Sequence, residues 1–276
     1  MNTRRHFLKA GATLAAGALL GGWRPSAGGA LEHVRLGVAS YSLRELSRRE
    51  AIAGIKACGA QYVNIKSFHL DYGASAQEIA EARRQFADAG IEIVGGGLIP
   101  FYENDDDTMR ASFEYARAAG FPVIVAGPNH AVLPRLERFA VEYDIKVAIH
   151  NHGPEDNYFP APSDALALIE GMDLRMGVCV DVGHTARTGR DVVAEIAAAG
   201  DRLHDVHMKD LADFSSRDSQ CVVGDGLMPV PAIFRQLEAM RYPGYVNLEY
   251  EIEAANPVPG MQRSFAYMRG VLAGME

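Results

Sequence analysis

Short runs of β-branched and apolar residues recur along the chain, and the stretches between them carry apolar positions at spacings of three and four. The first pattern predicts strands and the second amphipathic helices. The strands predicted are Val34–Ala39, Tyr62–Ile65, Glu92–Leu98, Val123–Ala126, Lys146–His150, Met176–Asp181, Leu203–Met208 and Tyr245–Glu249. Helical spacing follows each one. Ala51, Ile52 and Ile55 mark the first helix, which Gly59 stops. Ser75-Ala-Gln-Glu78 is a capping box that opens the second, which runs to Gly90. Met109, Phe113 and Ala116 mark the third, and Leu133, Leu136 and Phe139 the fourth. Ala165–Ile169, Val192–Ala198, Ile233–Met240 and Ser264–Leu272 mark the rest. Strict alternation predicts a parallel sheet, and this many repeats at this length predict closure into a single (β/α)₈ TIM barrel. A doubly wound open sheet is the alternative, but no Gly-x-Gly-x-x-Gly follows the first strand. The longest connection, Asp210 to Met228, follows the seventh strand and reads as a lid or a substrate wall.

The polar residues that interrupt this pattern sit where strands end. Lys146-Val-Ala-Ile-His150-Asn-His152 closes the fifth strand and Val180-Asp181-Val-Gly-His184 the sixth. Asp205-Val-His207-Met-Lys209 lies in the seventh, and Asn247-Leu-Glu249-Tyr-Glu251 ends the eighth. Residues two apart share a face of a strand, so His150 and His152 point the same way. Metal ligands and acid/base groups at the ends of successive strands are how such a barrel builds a site on its carboxyl-terminal face. His150 or His152, together with Asp181, His207 and Glu249, form a mixed N/O donor set. That set suits one Mn²⁺, Fe²⁺, Co²⁺ or Zn²⁺ ion better than Mg²⁺ or Ca²⁺.

The amino terminus adds a second message. Thr3-Arg4-Arg5-His6-Phe7-Leu8-Lys9 precedes the apolar stretch Ala10–Gly22, with small residues from Ser26 to Ala30. The paired arginines followed by Phe-Leu-Lys resemble the twin-arginine export signal. This implies a cleaved segment over residues 1–30, a domain over 31–276, passage through the twin-arginine translocon and a periplasmic destination. The apolar stretch falls short of the ~20 residues that a membrane helix needs, so no stable membrane insertion is expected. Residues 1–30 carry Arg4, Arg5, Lys9 and Arg24 and no acid, so their removal takes the net charge from −8 to −12. A surface so acidic repels phosphate backbones, which argues against nucleic acid as a partner. Cys58, Cys179 and Cys221 are odd in number and show no Cys-x-x-Cys spacing, which allows one disulfide in an oxidising periplasm but not a disulfide framework. Cys179 shares the face of Asp181 and is expected to pack in the barrel interior. The sequence leaves the oligomeric state open.

Over the whole of residues 31–276, and most sharply from Val147 to Glu251, the chain resembles the xylose-isomerase-like barrel superfamily, the so-called sugar phosphate isomerases and epimerases. The motifs that carry the likeness are Val180-Asp181-Val-Gly-His184, Val206-His207-Met-Lys209-Asp210, Gly224-Asp-Gly226 and Leu248-Glu249. The resemblance implies Asp181, His207 and Glu249 as metal ligands and Glu249 as base, with His184 on the substrate or a metal water. Lys209, on the face of His207, joins Glu249 and His184 as a candidate catalytic residue. The implied chemistry is proton abstraction beside a carbonyl through a metal-stabilised enediolate. The reaction expected is isomerisation or epimerisation of a sugar. No basic loop cradles a phosphate, so the sugar is expected to be unphosphorylated.

One departure points elsewhere. Epimerases of the family carry a Glu at the end of the fifth strand, where this chain has His150. The His150-Asn-His152 pattern is similar to inosose dehydratases, which makes a lyase or dehydratase acting on a keto-sugar, keto-glycoside or keto-cyclitol the alternative. Glu155 and Asp156 are candidates to replace the missing acid, with Glu155 placed for substrate binding. Lys66 and His69 after the second strand, and Asn129 and His130 after the fourth, are further candidates for the pocket wall. Tyr41, Phe101 and Tyr102 are placed either to stack on a sugar ring or to pack loops. Two other readings are an exported barrel that only binds sugar, and a phosphodiesterase of the endonuclease IV-like branch. The joint presence of Asp181, His184, His207 and Glu249 opposes the first and the acidic surface the second.

Overall fold

The computed structural model describes residues 34–275; the export segment lies outside them. In chain order the elements begin with β1 (Arg35–Ala39), α1 (Arg48–Ala57), β2 (Tyr62–Ile65), α2 (Ala76–Asp88), β3 (Glu92–Phe101) and α3 (Asp106–Ala119). Next come β4 (Val123–Pro128), α4 (Leu133–Tyr143), β5 (Lys146–His150), α5 (Pro162–Leu168), β6 (Met176–Asp181), α6 (Val182–Arg187) and α7 (Val192–Ala199). The chain then forms β7 (Leu203–Met208), β8 (Asp210–Leu211), β9 (Gln220–Cys221), α8 (Val230–Ala239), β10 (Tyr245–Leu248) and α9 (Val258–Ala273). Among the described residues, β1 through β7 and β10 pair in parallel and close on themselves as a barrel; β8 and β9 form a separate antiparallel pair.

Local chemistry explains the helix ends. Ser47 and Glu50 cap α1 reciprocally, as Ser75 and Glu78 cap α2. Asp105 caps α3, and Gly120 ends it in the left-handed conformation. The buried face of α2 is Ile79, Ala82 and Phe86, a helical repeat turned onto the sheet.

Period two sorts the strand residues between two cores. Val147, Ile149, Val178, Val180, Val206, Val246 and Leu248 face outward into the layer between sheet and helices. Ala148, Cys179 and Val125 face inward as a small apolar plug. One residue beyond each plug or polar rung on this inward face stand His150, Asp181, His207 and Glu249. Register brings them level: His150 pairs with Cys179, Asp181 with His207, and Asn247 with His207.

Three differences from the sequence reading have physical causes. β3 runs on to Phe101, because after a register shift at Gly96 it re-pairs with β4 as far as Pro128. Helix α6 starts directly after β6, with no loop between them, because the Asp181 side chain caps it. The long connection is organised around the β8–β9 pair and around buried Asp210. Its carboxylate accepts the amides of Gly224 (2.9 Å), Gly226 (3.2 Å) and Met228 (2.9 Å). A Cβ on Gly226 would lie 2.3 Å from Asp210 Oδ1, so the Gly224-Asp-Gly226 motif serves this anchoring. All three cysteines are free.

Candidate active site

His150, Asp181, His207 and Glu249 each present a ligand atom, and these atoms lie within 4.8 Å of one another. His150 Nε2 is 2.9 Å from His207 Nδ1, 3.6 Å from Asp181 Oδ2 and 4.0 Å from Glu249 Oε2. His207 Nδ1 is 3.2 Å from Glu249 Oε2. All four residues are buried; His150 and Glu249 line the floor of a cavity of about 940 Å³, and Asp181 and His207 lie fully buried beside them.

Asp181 and the ends of β5, β6 and β10 are held by their neighbours. Asp181 spends Oδ1 on the His184 amide at 2.8 Å, which leaves Oδ2 facing the cluster. Asn151 ties β5 to β6: its Oδ1 accepts the Asp181 amide at 2.9 Å, and its Nδ2 donates to Thr185 Oγ1 at 3.1 Å. Behind His207, Asp205 Oδ2 lies 3.7 Å from Nε2, and Asp205 is fixed by Asn64 Nδ2 (2.8 Å) and Asn247 Nδ2 (2.7 Å). Asp205 is beyond hydrogen-bond distance of Nε2 and acts on the ring through its charge alone. Gln220 of β9 donates to the Glu249 carbonyl at 2.8 Å and accepts the Glu251 amide at 2.6 Å, so the long connection fixes the end of β10.

Asp181 Oδ2 is buried without a hydrogen bond, although the Lys209 ammonium lies 2.9 Å away out of hydrogen-bond alignment. An orphaned carboxylate oxygen, a second carboxylate and two facing imidazole nitrogens fit a first-row divalent ion. His150, Asp181, His207 and Glu249 are the residues that would hold it.

Two ammonium groups sit among these carboxylates. Lys209 Nζ is 3.2 Å from Glu249 Oε2 and also contacts Glu251, while Lys66 Nζ is 3.4 Å from Glu249 Oε1. Burial pushes the Glu249 carboxyl up, but His207, Lys209 and Lys66 outweigh it and hold the group well below the usual carboxylate range. Burial lowers Lys209, and Asp181, Glu249 and Glu251 more than reverse this, so it stays protonated. Asp181 is raised by burial, with Lys209 opposing. Burial also holds His150 neutral, helped by His152 and His207. Gly183 makes room for Lys209, because a Cβ there would come 2.6 Å from Lys209 Cγ. His184 lines the cavity, held neutral by burial and then by Lys209. Arg187 can only donate to His184 Nδ1, at 3.2 Å, so the imidazole proton sits on Nε2.

Some predicted residues fall outside this cluster. His152 lines the cavity but turns Nδ1 to Asp156 Oδ2 at 2.9 Å, so His150 is the imidazole of the quartet. Glu155 is at the rim, paired with Arg187, and Asp156 caps the Tyr158 and Phe159 amides; neither replaces the missing acid on the floor. His69 does not line the pocket. Its Nδ1 meets Ser40 Oγ at 2.9 Å, and Ser40 Oγ in turn accepts the Lys66 amide at 2.8 Å. Asn129 is also outside, capping Val132 and donating to the Tyr102 carbonyl at 2.9 Å. Phe101 is buried in the core, whereas Tyr41 and Tyr102 line the cavity. Sequence reasoning passed over Asp205, Arg187, Gln220 and Glu251 as site residues. For Asp205 and Glu251 the signal was present, since each lies two residues from a ligand on the same face.

A curated inosose dehydratase of Lactiplantibacillus plantarum is 28% identical over 200 residues, covering 66% of this chain and 64% of that protein's own length. D-psicose 3-epimerase of Clostridium cellulolyticum, solved with D-tagatose, shares the fold at TM-score 0.69 and 15% identity, over 86% of this chain and 99% of that one. A probable 3-DHS dehydratase of Bacillus anthracis shares it at TM-score 0.68 and 11% identity, over 85% and 98%. Residues 52–271 match the family described as xylose isomerase-like TIM barrel, and the chain belongs to that family.

Proposed function

We propose that the protein is a divalent-metal-dependent lyase. In this reading it removes the proton beside the carbonyl of an unphosphorylated keto-sugar or keto-cyclitol and expels the group on the next carbon. The observation that carries the reading is the Lys209 ammonium 3.2 Å from the ionised Glu249 carboxylate, base and acid side by side on the cavity floor. His150, Asp181, His207 and Glu249 would hold a divalent ion, which would serve as the Lewis acid at the carbonyl. Glu249 takes the carbon-bound proton, and the electron pair moves toward the carbonyl. The His184 Nε2–H is the donor available to the developing oxyanion. As the electrons return, the bond to the β-oxygen breaks and Lys209 protonates the departing water or alcohol. Proton transfer from Glu249 back to Lys209 restores both groups. Products and substrate then balance as one unsaturated ketone plus one water or alcohol.

The neutral character of the substrate follows from pairing. The buried cations of the cavity, Lys66, Lys209 and Arg187, are each matched to a carboxylate, and Arg217 lies out on the exposed loop. His150 in place of a second glutamate favours elimination, and a dehydratase among the relatives agrees with it. A second reading, isomerase or epimerase, is favoured by Glu251, a second carboxylate lining the cavity. Arg4-Arg5 and the following apolar stretch, outside the described residues, support export by the twin-arginine route to the periplasm.

The test is carbon-bound hydrogen exchange in D₂O with metal-loaded protein and a panel of keto-sugars and keto-cyclitols, followed by product analysis. Exchange that Glu249→Gln abolishes, with an ultraviolet-absorbing enone formed, supports the lyase. A mass-neutral product retires it in favour of the isomerase, and absence of any exchange removes both.

A further inference from the structure

The mouth of the barrel is divided between two kinds of surface. The four metal-site residues, Lys209 and Glu251 come from β5 through β10, and Lys66 joins them from the end of β2. The opposite wall is built on the loops after β2, β3 and β5, and it presents aromatic rings. Phe68, Tyr102 and Tyr158 line the cavity and are 55%, 57% and 42% exposed. Apolar rings of this size left in water at one rim mark a contact surface.

The Phe68 ring is held by a neighbouring ring, and the backbones that carry Tyr102 and Tyr158 are held by side chains. Phe68 packs edge-on against Tyr41 at 5.7 Å, and the Arg44 guanidinium lies 4.8 Å from the Tyr41 ring. The Tyr102 carbonyl accepts from Asn129 Nδ2 at 2.9 Å. The Tyr158 carbonyl meets His130 Nε2 at 2.9 Å, with the two rings 5.4 Å apart. Polar residues conspicuous in the sequence after the fourth strand therefore brace the aromatic rim.

The cavity, about 940 Å³, is at the upper end of the ~300–1,000 Å³ range of ligand pockets. A single sugar ring on the polar floor would fill only part of it and leave the aromatic rim bare. We propose that the substrate is a two-ring glycoside. Its sugar reacts at the floor, and the ring linked to it lies against Phe68, Tyr102 and Tyr158. This rests on the reading of the polar cluster as the reacting end, and it makes the departing group an alcohol rather than water.

Calorimetric titration of the metal-loaded protein with D-glucose, phenyl β-D-glucopyranoside and cellobiose tests it without turnover. At least one two-ring probe should bind about tenfold tighter than glucose, the gain expected of ring contacts. Phe68→Ala with Tyr102→Ala should return that affinity to the glucose value; both side chains are exposed, so the fold is not at stake. A gain for the phenyl glucoside alone identifies an aromatic outer ring, and a gain for cellobiose alone a second sugar. Equal binding of all three, no measurable binding of any, or a gain that survives both substitutions overturns the proposal. Hydrogen exchange in D₂O is read separately. Exchange without the affinity gain removes the outer subsite only, and the gain without exchange removes the lyase chemistry only.

Discussion

Replacing Lys209 with Met tests how the metal-free site holds its charge. The Lys209 ammonium lies 2.9 Å from Asp181 Oδ2 and 3.2 Å from Glu249 Oε2, and its side chain is 3% exposed. At an effective dielectric constant near 20 each contact represents about 5 kcal/mol of attraction, most of which offsets the desolvation of the charges. Methionine keeps the volume but leaves two buried carboxylates facing each other and Glu251. Breaking a buried ion pair from one side costs about 3–5 kcal/mol, so the variant should unfold at markedly lower denaturant when treated with chelator. A divalent ion should then restore more stability to the variant than to the wild type, because in the wild type Lys209 already neutralises part of the carboxylate charge that the ion would relieve. Saturation at about 100 times Kd contributes about 2.7 kcal/mol. The assay is chemical denaturation followed by circular dichroism, with and without Mn²⁺. If Lys209→Met matches the wild type under chelation, the carboxylates do not depend on this cation and the electrostatic account of the site is wrong.

Two further outcomes follow from other parts of the chain. Burial holds His204 down to about 4 from 6.5, its Nε2 donating to the Leu174 carbonyl at 2.9 Å. Its folded pKa is depressed, so its contribution is complete above pH 6.5 and is lost as the pH falls toward 4, by about 3 kcal/mol in all. His204→Gln should flatten the difference in denaturation midpoint between pH 7 and pH 4.5, and an unchanged pH dependence would refute this. For export, Arg4-Arg5 changed to Lys-Lys should keep the protein in the cytosol by cell fractionation, and undiminished periplasmic protein would exclude the twin-arginine route.

The strands were legible wherever period two met β-branched residues: β2, β5, β6 and β7 have the predicted ends. The ligands were legible because they continue that period past the apolar plug, so each inward rung ends in His, Asp or Glu. Less visible was anything decided by loops. His69 and Asn129 follow strands as the pocket residues do, yet backbone turns direct them to Ser40 and Tyr102. The choice between His150 and His152 was likewise settled off the strand, where Asp156 captures the second ring. Arg187 escaped notice because α6 begins without a preceding loop, and Gln220 because its partner, the Glu249 backbone, is remote in sequence.

The account rests on four side chains from four strands acting as one metal site, and titration of chelator-stripped protein with Mn²⁺ measures this directly. One ion per chain should bind to the wild type, with binding lost in His207→Ala and retained in His152→Ala, whose ring belongs to Asp156. Unaltered binding in His207→Ala, or loss in His152→Ala alone, would contradict it.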